Sequence, residues 1–216
     1  NRGHDLECFI NMVKELRKRN INVIVHIING LPYETKEMML ETAKKLGFSN
    51  ISLDLMIGLP NSTLETLKND LDFLVNLEPQ HISCYILKIE QNTAFYKLQN
   101  TLNLPDEDTV SDQYLFMCEY LKQNGFSHYE ISNFCLPGLH SRHNSSYWTS
   151  KKYLGCGPSA HSYDGTSRQW NVASLEAYIH GITHGKPDYE IEELDLYTRY
   201  NDFVITSIRT CWGMPL

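Results

Sequence analysis

Ile51-Ser-Leu-Asp-Leu-Met-Ile-Gly-Leu-Pro60 has the pattern of a β-strand that runs into a tight turn, and the neighbouring elements can be placed from it. We predict a strand over 51–57, ended by the Gly58 turn, and a helix over 63–76, because apolar residues recur there at helical spacing. Ser62 and Glu65 have the spacing of a capping box. Residues alternate between two faces of the strand: Ser52, Asp54 and Met56 on one, and Leu53, Leu55 and Ile57 on the other.

The same strand-turn-helix pattern occurs earlier in the chain, in Ile21-Asn-Val-Ile-Val-His-Ile-Ile-Asn-Gly-Leu-Pro32. We predict strands at 21–28 and 81–87 and an intervening helix at 35–46. Strands that alternate with helices in this way indicate βαβ units and a parallel sheet. Ligands bind at the carboxyl ends of such strands, where Asp54 is expected. The alternative is a structural aspartate that is hydrogen-bonded at a plain joint between strand and helix.

Composition limits the classes of function. The chain of 216 residues has a formal net charge of -7, and it lacks the basic surface of a nucleic-acid-binding protein. No apolar run has the length of a membrane span, and no signal peptide is visible. The six cysteines are scattered, which is typical of a cytoplasmic protein without a disulfide framework. The chain begins with Asn1, and we expect it to be a fragment of a longer protein.

The remaining periodic segments predict helices, with a polar connector over 88–103 and a short strand at His128–Ser132. The predicted helices are Asp5–Arg19, one that begins near Leu104–Thr109, Ser174–His180 and Asp195–Cys211. The segment Asn133–Asp164 lacks periodicity and is rich in glycine, serine, histidine and aromatic residues. Long irregular segments of this kind are usually functional, and the aromatic content argues against disorder.

Residues within this irregular segment suggest a planar ligand or a metal. His143 offers an imidazole, Tyr147 and Trp148 offer ring faces, and Arg142 offers a guanidinium for a carboxylate. The simpler interpretation is a loop histidine beside two aromatic residues that fill a local core. A zinc module is a further alternative, although the spacing matches no standard finger. Its candidate ligands are Cys135, His140, His143, Cys156 and His161.

Several long segments, in the right order, resemble the HemW-type radical S-adenosylmethionine (SAM) proteins, which are close to the oxygen-independent coproporphyrinogen III oxidases. The resemblance covers residues 47–216. Its segments are Ile51–Pro60, His81–Tyr85, Leu104–Asp108, His128-Tyr-Glu-Ile-Ser-Asn-Phe134, Arg142-His-Asn-Ser-Ser-Tyr-Trp148 and Tyr153-Leu-Gly-Cys-Gly-Pro-Ser-Ala-His161. It implies an α/β fold: a partial (β/α) barrel, open on one side, followed by a loop-rich region and a C-terminal helical domain.

The resemblance also implies ligands and roles. Asp54 matches the carboxylate that hydrogen-bonds SAM, and Lys88 and His161 match positions of backbone contacts to SAM. His143 belongs to the His-Asn-x-x-Tyr-Trp motif that distinguishes haem chaperones from the oxidases, so the resemblance implies haem bound with His143 as iron ligand and Arg142, Tyr147 and Trp148 around it. The implied partners are haem and a haem-acceptor protein. The alternative within the family is the oxidative decarboxylation of coproporphyrinogen III by radical chemistry.

Two departures from the family pattern affect the expected activity. The Cys-x3-Cys-x2-Cys motif that holds the family's [4Fe–4S] cluster is absent, as is the early glycine-rich motif of the barrel. We therefore expect this chain alone to be inactive in SAM cleavage.

Residues 1–46 resemble a different radical SAM branch, which suggests a join near residues 46–49. The expected domains are a partial barrel at 1–103, a haem-motif region at 104–190 and the start of a helical domain at 191–216.

Overall fold

The computed structural model describes residues 6–21, 23 and 50–214. The chain divides into two compact units, residues 1–49 and 50–216. In the first unit, helix α1 spans Leu6–Lys18, with Glu7 in its first turn and basic residues in its last, which complements the helix dipole. The predicted strand 21–28 and helix 35–46 lie outside the described residues, apart from positions 21 and 23.

The second unit opens with the predicted βαβ arrangement. Strand β1 spans Ser52–Ile57, helix α2 spans Leu64–Asn76 and strand β2 spans His81–Ile86. The two strands are parallel, with Ser52 opposite His81 and Ile57 opposite Ile86. The predicted strands at 51–57 and 81–87 and the helix at 63–76 are therefore confirmed, within one residue at each end.

The predicted capping box of α2 is wrong by one residue. Thr63 is the N-cap: its hydroxyl accepts a hydrogen bond from the Thr66 amide, and the Thr66 hydroxyl accepts one from the Thr63 amide. The Ser62 hydroxyl instead accepts a hydrogen bond from Gln113 Nε2, at 3.1 Å. Ser62 thus makes a tertiary contact, and the residue after it caps the helix.

A β-hairpin completes the sheet next to β2. After helix α3 at Ala94–Leu98 and a 3-10 turn at Gln99–Thr101, helix α4 runs from Glu107 to Gln123. Strand β3 then spans Ser127–Glu130 and strand β4 spans Asn133–Cys135. The strand order is β1-β2-β4-β3, and β4 is antiparallel to both of its neighbours. Where the sequence predicted one strand at 128–132, the structure turns between Glu130 and Asn133, and the sheet is mixed.

One face of this sheet packs under α2 and α4. The hydrophobic cluster there joins side chains from both helices and from β1, β2 and β4, and it consists of Ile57, Leu67, Leu71, Ile82, Cys84, Met117, Leu121, Phe126 and Phe134. Burial of this apolar surface is the main stabilising contribution to the second unit. Because neighbouring residues along a strand point to opposite sides, this packing leaves the other face of the sheet for polar residues.

The rest of the chain adds a second sheet. Helix α5 spans Arg142–Trp148, and strands β5 at His161–Tyr163, β6 at Ser167–Asn171 and β7 at Tyr189–Glu193 form an antiparallel sheet in that order. Helix α6 spans Leu175–Thr183 and helix α7 spans Leu196–Ile208. The segment 133–164, predicted to be irregular, thus contains a strand, a helix and a further strand. The predicted domain boundary at residue 190 falls inside β7, and the domain assignment stays a prediction.

The mixed α/β fold agrees with the predicted fold class. Across the part of the chain that the structure describes, no helix combines the length and the apolar character needed to cross a membrane.

Candidate functional site

The second face of the four-stranded sheet carries polar side chains. Strand register sets Ser52 opposite His81 and Asp54 opposite Ser83, and continues from Ser83 to Asn133 on β4. Residues paired in this way point to the same side of a sheet. The carboxylate of Asp54 is exposed and has no hydrogen-bond or ion-pair partner among the described residues. Among the described residues, no contact supports the alternative of a hydrogen-bonded structural aspartate at this position.

The turn after β1 is held by a buried glutamine. Gly58 has a φ of 75°, a left-handed conformation that favours glycine. Its N–H donates to Oε1 of Gln113 at 3.1 Å, and Gln113 is fully buried. Because the same amide group also donates to Ser62, one side chain of α4 fixes both the turn and the residue that precedes the cap of α2.

A groove of about 460 Å³ lies at the carboxyl ends of β1 and β2. It is mainly apolar and is lined by Gly58, Ile86, Leu87, Ile89, Val110 and Tyr114 among others. Lys88 lies between two of the lining residues, and its own ammonium group is exposed and paired with Glu90 at 2.9 Å. This groove is where a ligand of a parallel α/β sheet is expected, and the lining residues Leu87 and Ile89 flank Lys88 in the chain.

His161 is at the start of β5, and the glycine-rich loop before it folds against β6. A Cβ atom on Gly155 would lie 2.1 Å from the carbonyl oxygen of His161, so only glycine fits there. The Gly155 N–H donates to Ser162 Oγ at 3.0 Å, and Asn171 Nδ2 donates to the Gly157 carbonyl at 2.9 Å. Gly155 is therefore needed because two segments of this chain, the glycine-rich loop and β5, approach each other closely there.

The haem-motif residues lie on the short helix α5. Its N-cap is Ser141, whose hydroxyl accepts from the Asn144 amide at 3.2 Å. His143 and Tyr147 are four residues apart, on one side of the helix. Their ring centroids are 5.3 Å apart at an interplanar angle of 89°, and the Tyr147 hydroxyl is 3.4 Å from His143 Nε2. Tyr147 also meets Tyr153 edge-on at 5.0 Å.

The structure does not bring Trp148 to this pair. The guanidinium of Arg209, at the C-cap of α7, lies 4.8 Å from the centre of the Trp148 ring. The indole Nε1 is buried and has no hydrogen-bond partner among the described residues. Trp148 therefore anchors α5 to the end of α7, whereas Arg142 and His143 are exposed.

The candidate zinc ligands are not gathered into a site. Cys135 is buried in β4, where burial raises the pKa of its thiol, whereas Cys156 is exposed. Within residues 6–21, 23 and 50–214, no three histidine, cysteine or acidic side chains are placed to hold a metal ion. A [4Fe–4S] cluster needs several cysteine thiolates close together, and the described residues do not provide such a group. The described residues do not fit that cluster.

Sequence analysis missed several residues that shape these sites. They are Gln113, His81, Tyr129, Tyr153 and Arg209. A signal existed for Gln113, which lies three residues after Val110 and four before Met117, within the apolar stripe of α4. A polar residue at such a position needs a buried partner. His81, Tyr129 and Arg209 had no local signal, because their partners are distant in sequence. Tyr153 contacts Tyr147 only six positions away, but the segment between them has no periodicity.

The chain is similar to known proteins in both sequence and structure. No family model matches it. The heme chaperone HemW of Bacillus subtilis is 35% identical over 177 residues, which is 81% of this chain and 47% of that protein. The heme chaperone HemW of Lactococcus lactis is 39% identical over 142 residues, covering 65% of this chain and 38% of the relative.

Among solved structures, the coproporphyrinogen III oxidase HemN from Escherichia coli, a radical SAM enzyme, matches with a TM-score of 0.69 at 19% identity. The match covers 97% of this chain and 53% of that one. The fold is therefore that of a radical SAM protein of the coproporphyrinogen oxidase type. With the sequence relatives added, the chain is related to the HemW-type radical SAM proteins, and it spans less than half the length of these two relatives.

Proposed function

We propose that this chain contributes to a haem chaperone of the HemW type and that His143 is the ligand of the haem iron. The observation that carries the proposal is the exposed imidazole of His143 beside Tyr147 on α5. Imidazole is a common ligand of haem iron, and an exposed ring can be approached by a flat macrocycle. The relatives at 35% and 39% identity are named heme chaperones, which supports this assignment.

The neighbours of His143 suit a porphyrin with acidic side groups. Tyr147 and Tyr153 continue the aromatic surface away from the imidazole. Arg142 is exposed next to His143, and its planar guanidinium suits a carboxylate. We assign Trp148 an indirect role, because its ring is covered by Arg209. A haem-acceptor protein is part of this proposal, as the cargo of a chaperone has to be passed on.

For SAM, we propose Asp54 as a side-chain contact and Lys88 and His161 as backbone contacts. The exposed carboxylate of Asp54 and the groove lined by Leu87 and Ile89, the neighbours of Lys88 in the chain, support the first two. SAM would supply a radical precursor in an intact family member. The described residues offer no place for the cluster that such chemistry requires, and we assign this chain no step in it.

Titration of the purified chain with ferric haem tests the proposal. We expect a shifted Soret band for the unaltered chain and a loss of affinity of at least about tenfold in His143→Ala, because the iron loses its ligand. His180→Ala is the matched control: His180 is also exposed on a helix, α6, and stacks on a residue four positions further on, His184. Unchanged haem affinity and spectrum in His143→Ala would show that His143 is a loop histidine. Turnover of coproporphyrinogen III by the full-length protein would favour the oxidase instead.

A further inference from the structure

A chain of hydrogen bonds whose central pair is buried crosses the polar side of the four-stranded sheet. Ser52 Oγ is 2.7 Å from Nδ1 of His81, and His81 Nε2 is 2.8 Å from the hydroxyl of Tyr129. The backbone N–H of Ser141 donates to the same hydroxyl at 3.3 Å. His81 is 4% exposed and Tyr129 is 3% exposed, so water does not compete for the contact between their side chains, whereas Ser52 at the far end is exposed.

Donor and acceptor counting fixes the direction of this chain. The Tyr129 oxygen accepts from the Ser141 amide, and its single proton then has one acceptor to satisfy, His81 Nε2. His81 is therefore the neutral tautomer with its proton on Nδ1, which donates to Ser52 Oγ. Burial lowers the pKa of His81 and raises that of Tyr129, which agrees with two uncharged groups.

The chain ends at the residue that begins the haem-motif helix. Ser141 is the N-cap of α5, and its hydroxyl accepts from the Asn144 amide. Helix α5 has only 7 residues, and a helix of two turns is not stable without tertiary contacts. The Tyr129 hydroxyl holds the start of α5, and Arg209 covers Trp148 at its end. His143 lies between these two anchors.

We propose that Tyr129, oriented by His81, is a positioning residue that sets where α5 presents His143. The proposal rests on the function proposed for His143. It also ties the haem motif to the sheet face that carries Asp54, because Ser52 and Asp54 are on the same face of β1. Tyr129 does not itself touch the haem in this proposal.

Amide hydrogen exchange combined with haem titration tests the positioning role. We expect Tyr129→Phe to speed exchange in residues 144–149 by about threefold to tenfold, because the part-buried hydrogen bond to the N-cap is lost. The exchange of α2 amides should stay unchanged. Tyr120→Phe is the matched control. It removes a hydroxyl that donates to Asp72, and among the described residues this hydroxyl makes no hydrogen bond to α5. Haem affinity should fall by about twofold to tenfold in Tyr129→Phe and stay level in Tyr120→Phe.

Substitution of His81 separates positioning from general packing. The amide oxygen of a glutamine can accept the Tyr129 proton, so His81→Gln should keep the exchange rates of α5 near those of the unaltered chain. Leucine offers no acceptor, so His81→Leu should reproduce the effect of Tyr129→Phe. Equal exchange in α5 for Tyr129→Phe and Tyr120→Phe would overturn the inference. If the unaltered chain takes up no haem, the proposed function fails, whereas the exchange measurement still decides the positioning role.

Discussion

His143 and Tyr147 stand edge to face on one side of α5, with the tyrosine hydroxyl 3.4 Å from Nε2 of the imidazole. That separation is long for a hydrogen bond, so it contributes little to stability. A haem iron that binds Nε2 would have to displace the hydroxyl. The aromatic ring of Tyr147 and its hydroxyl therefore have opposite expected effects on haem binding.

Two substitutions of Tyr147 separate these effects. Tyr147→Phe keeps the edge-on contacts with His143 and Tyr153 and removes the competing hydroxyl, so haem affinity should be equal or higher. Tyr147→Ala removes both ring contacts, and we expect an affinity about threefold to tenfold lower, with the Soret position unchanged because the iron ligand stays. Spectroscopic titration measures both. A lower affinity in Tyr147→Phe would show that the hydroxyl supports binding.

Gln113 is expected to be the polar side chain of α4 whose replacement costs most stability. Gln113→Leu leaves the buried Gly58 N–H without its acceptor, and we expect the free energy of unfolding to fall by about 1–3 kcal/mol. Gln123→Leu is the control on the same helix, since Gln123 is exposed and bonds Glu119 within one turn; its effect should stay within about 0.5 kcal/mol. Urea denaturation measures both, and equal effects would contradict a special role for Gln113.

Gly155→Ala should destabilise the second sheet. The added methyl group would lie 2.1 Å from the His161 carbonyl oxygen, which forces the loop away from β5. We expect a cost of about 3 kcal/mol. Gly138→Ala is the comparison, because Gly138 has a φ of 79° and open space around it, so only backbone strain of about 1–2 kcal/mol applies. Thermal unfolding distinguishes them; a smaller effect at Gly155 would mean that the loop can move.

Stability should fall in mild acid through His81. Burial lowers the pKa of this group below its ordinary value of 6.5, although the charge of Asp54 opposes the shift. The unfolded chain then binds the proton more readily, so the stabilisation is complete above about pH 6.5 and is lost as the pH falls through the lower folded pKa. Asp164, whose pKa is lowered to about 2 by hydrogen bonds from Thr166 and Ser167, acts only in stronger acid.

The variant His81→Gln checks this assignment because an amide does not titrate. Between about pH 7.5 and about pH 5.5, its free energy of unfolding should fall less than that of the unaltered chain. Urea denaturation at both pH values gives the comparison. An equal loss in the two proteins would assign the acid sensitivity to other groups.

The parts of the fold that sequence analysis predicted correctly are those with local patterns. Alternation along 51–57 gave the two faces of β1, and helical spacing gave α2 and α4. The residue types of the haem motif were identified, but not their arrangement: Tyr147 meets His143, whereas Trp148 is under Arg209. Because residues 133–164 lack periodicity, no helix was predicted there. The sequence therefore did not show which residues of α5 share a side of the helix.

By itself, the sequence determined the βαβ unit and the two faces of β1, because these depend on residues close together in the chain. It also determined the family resemblance, because several segments occur in the family's order. Tertiary structure alone decided the pairing of β7 with β6, since every residue of Tyr189–Glu193 is exposed and its alternation carries no hydrophobic signal. It also decided the position of α5, because a helix of 7 residues depends on partners such as Tyr129, which lies 12 positions before Ser141. Contacts between distant residues are set by packing and hydrogen-bond geometry, which no local pattern encodes.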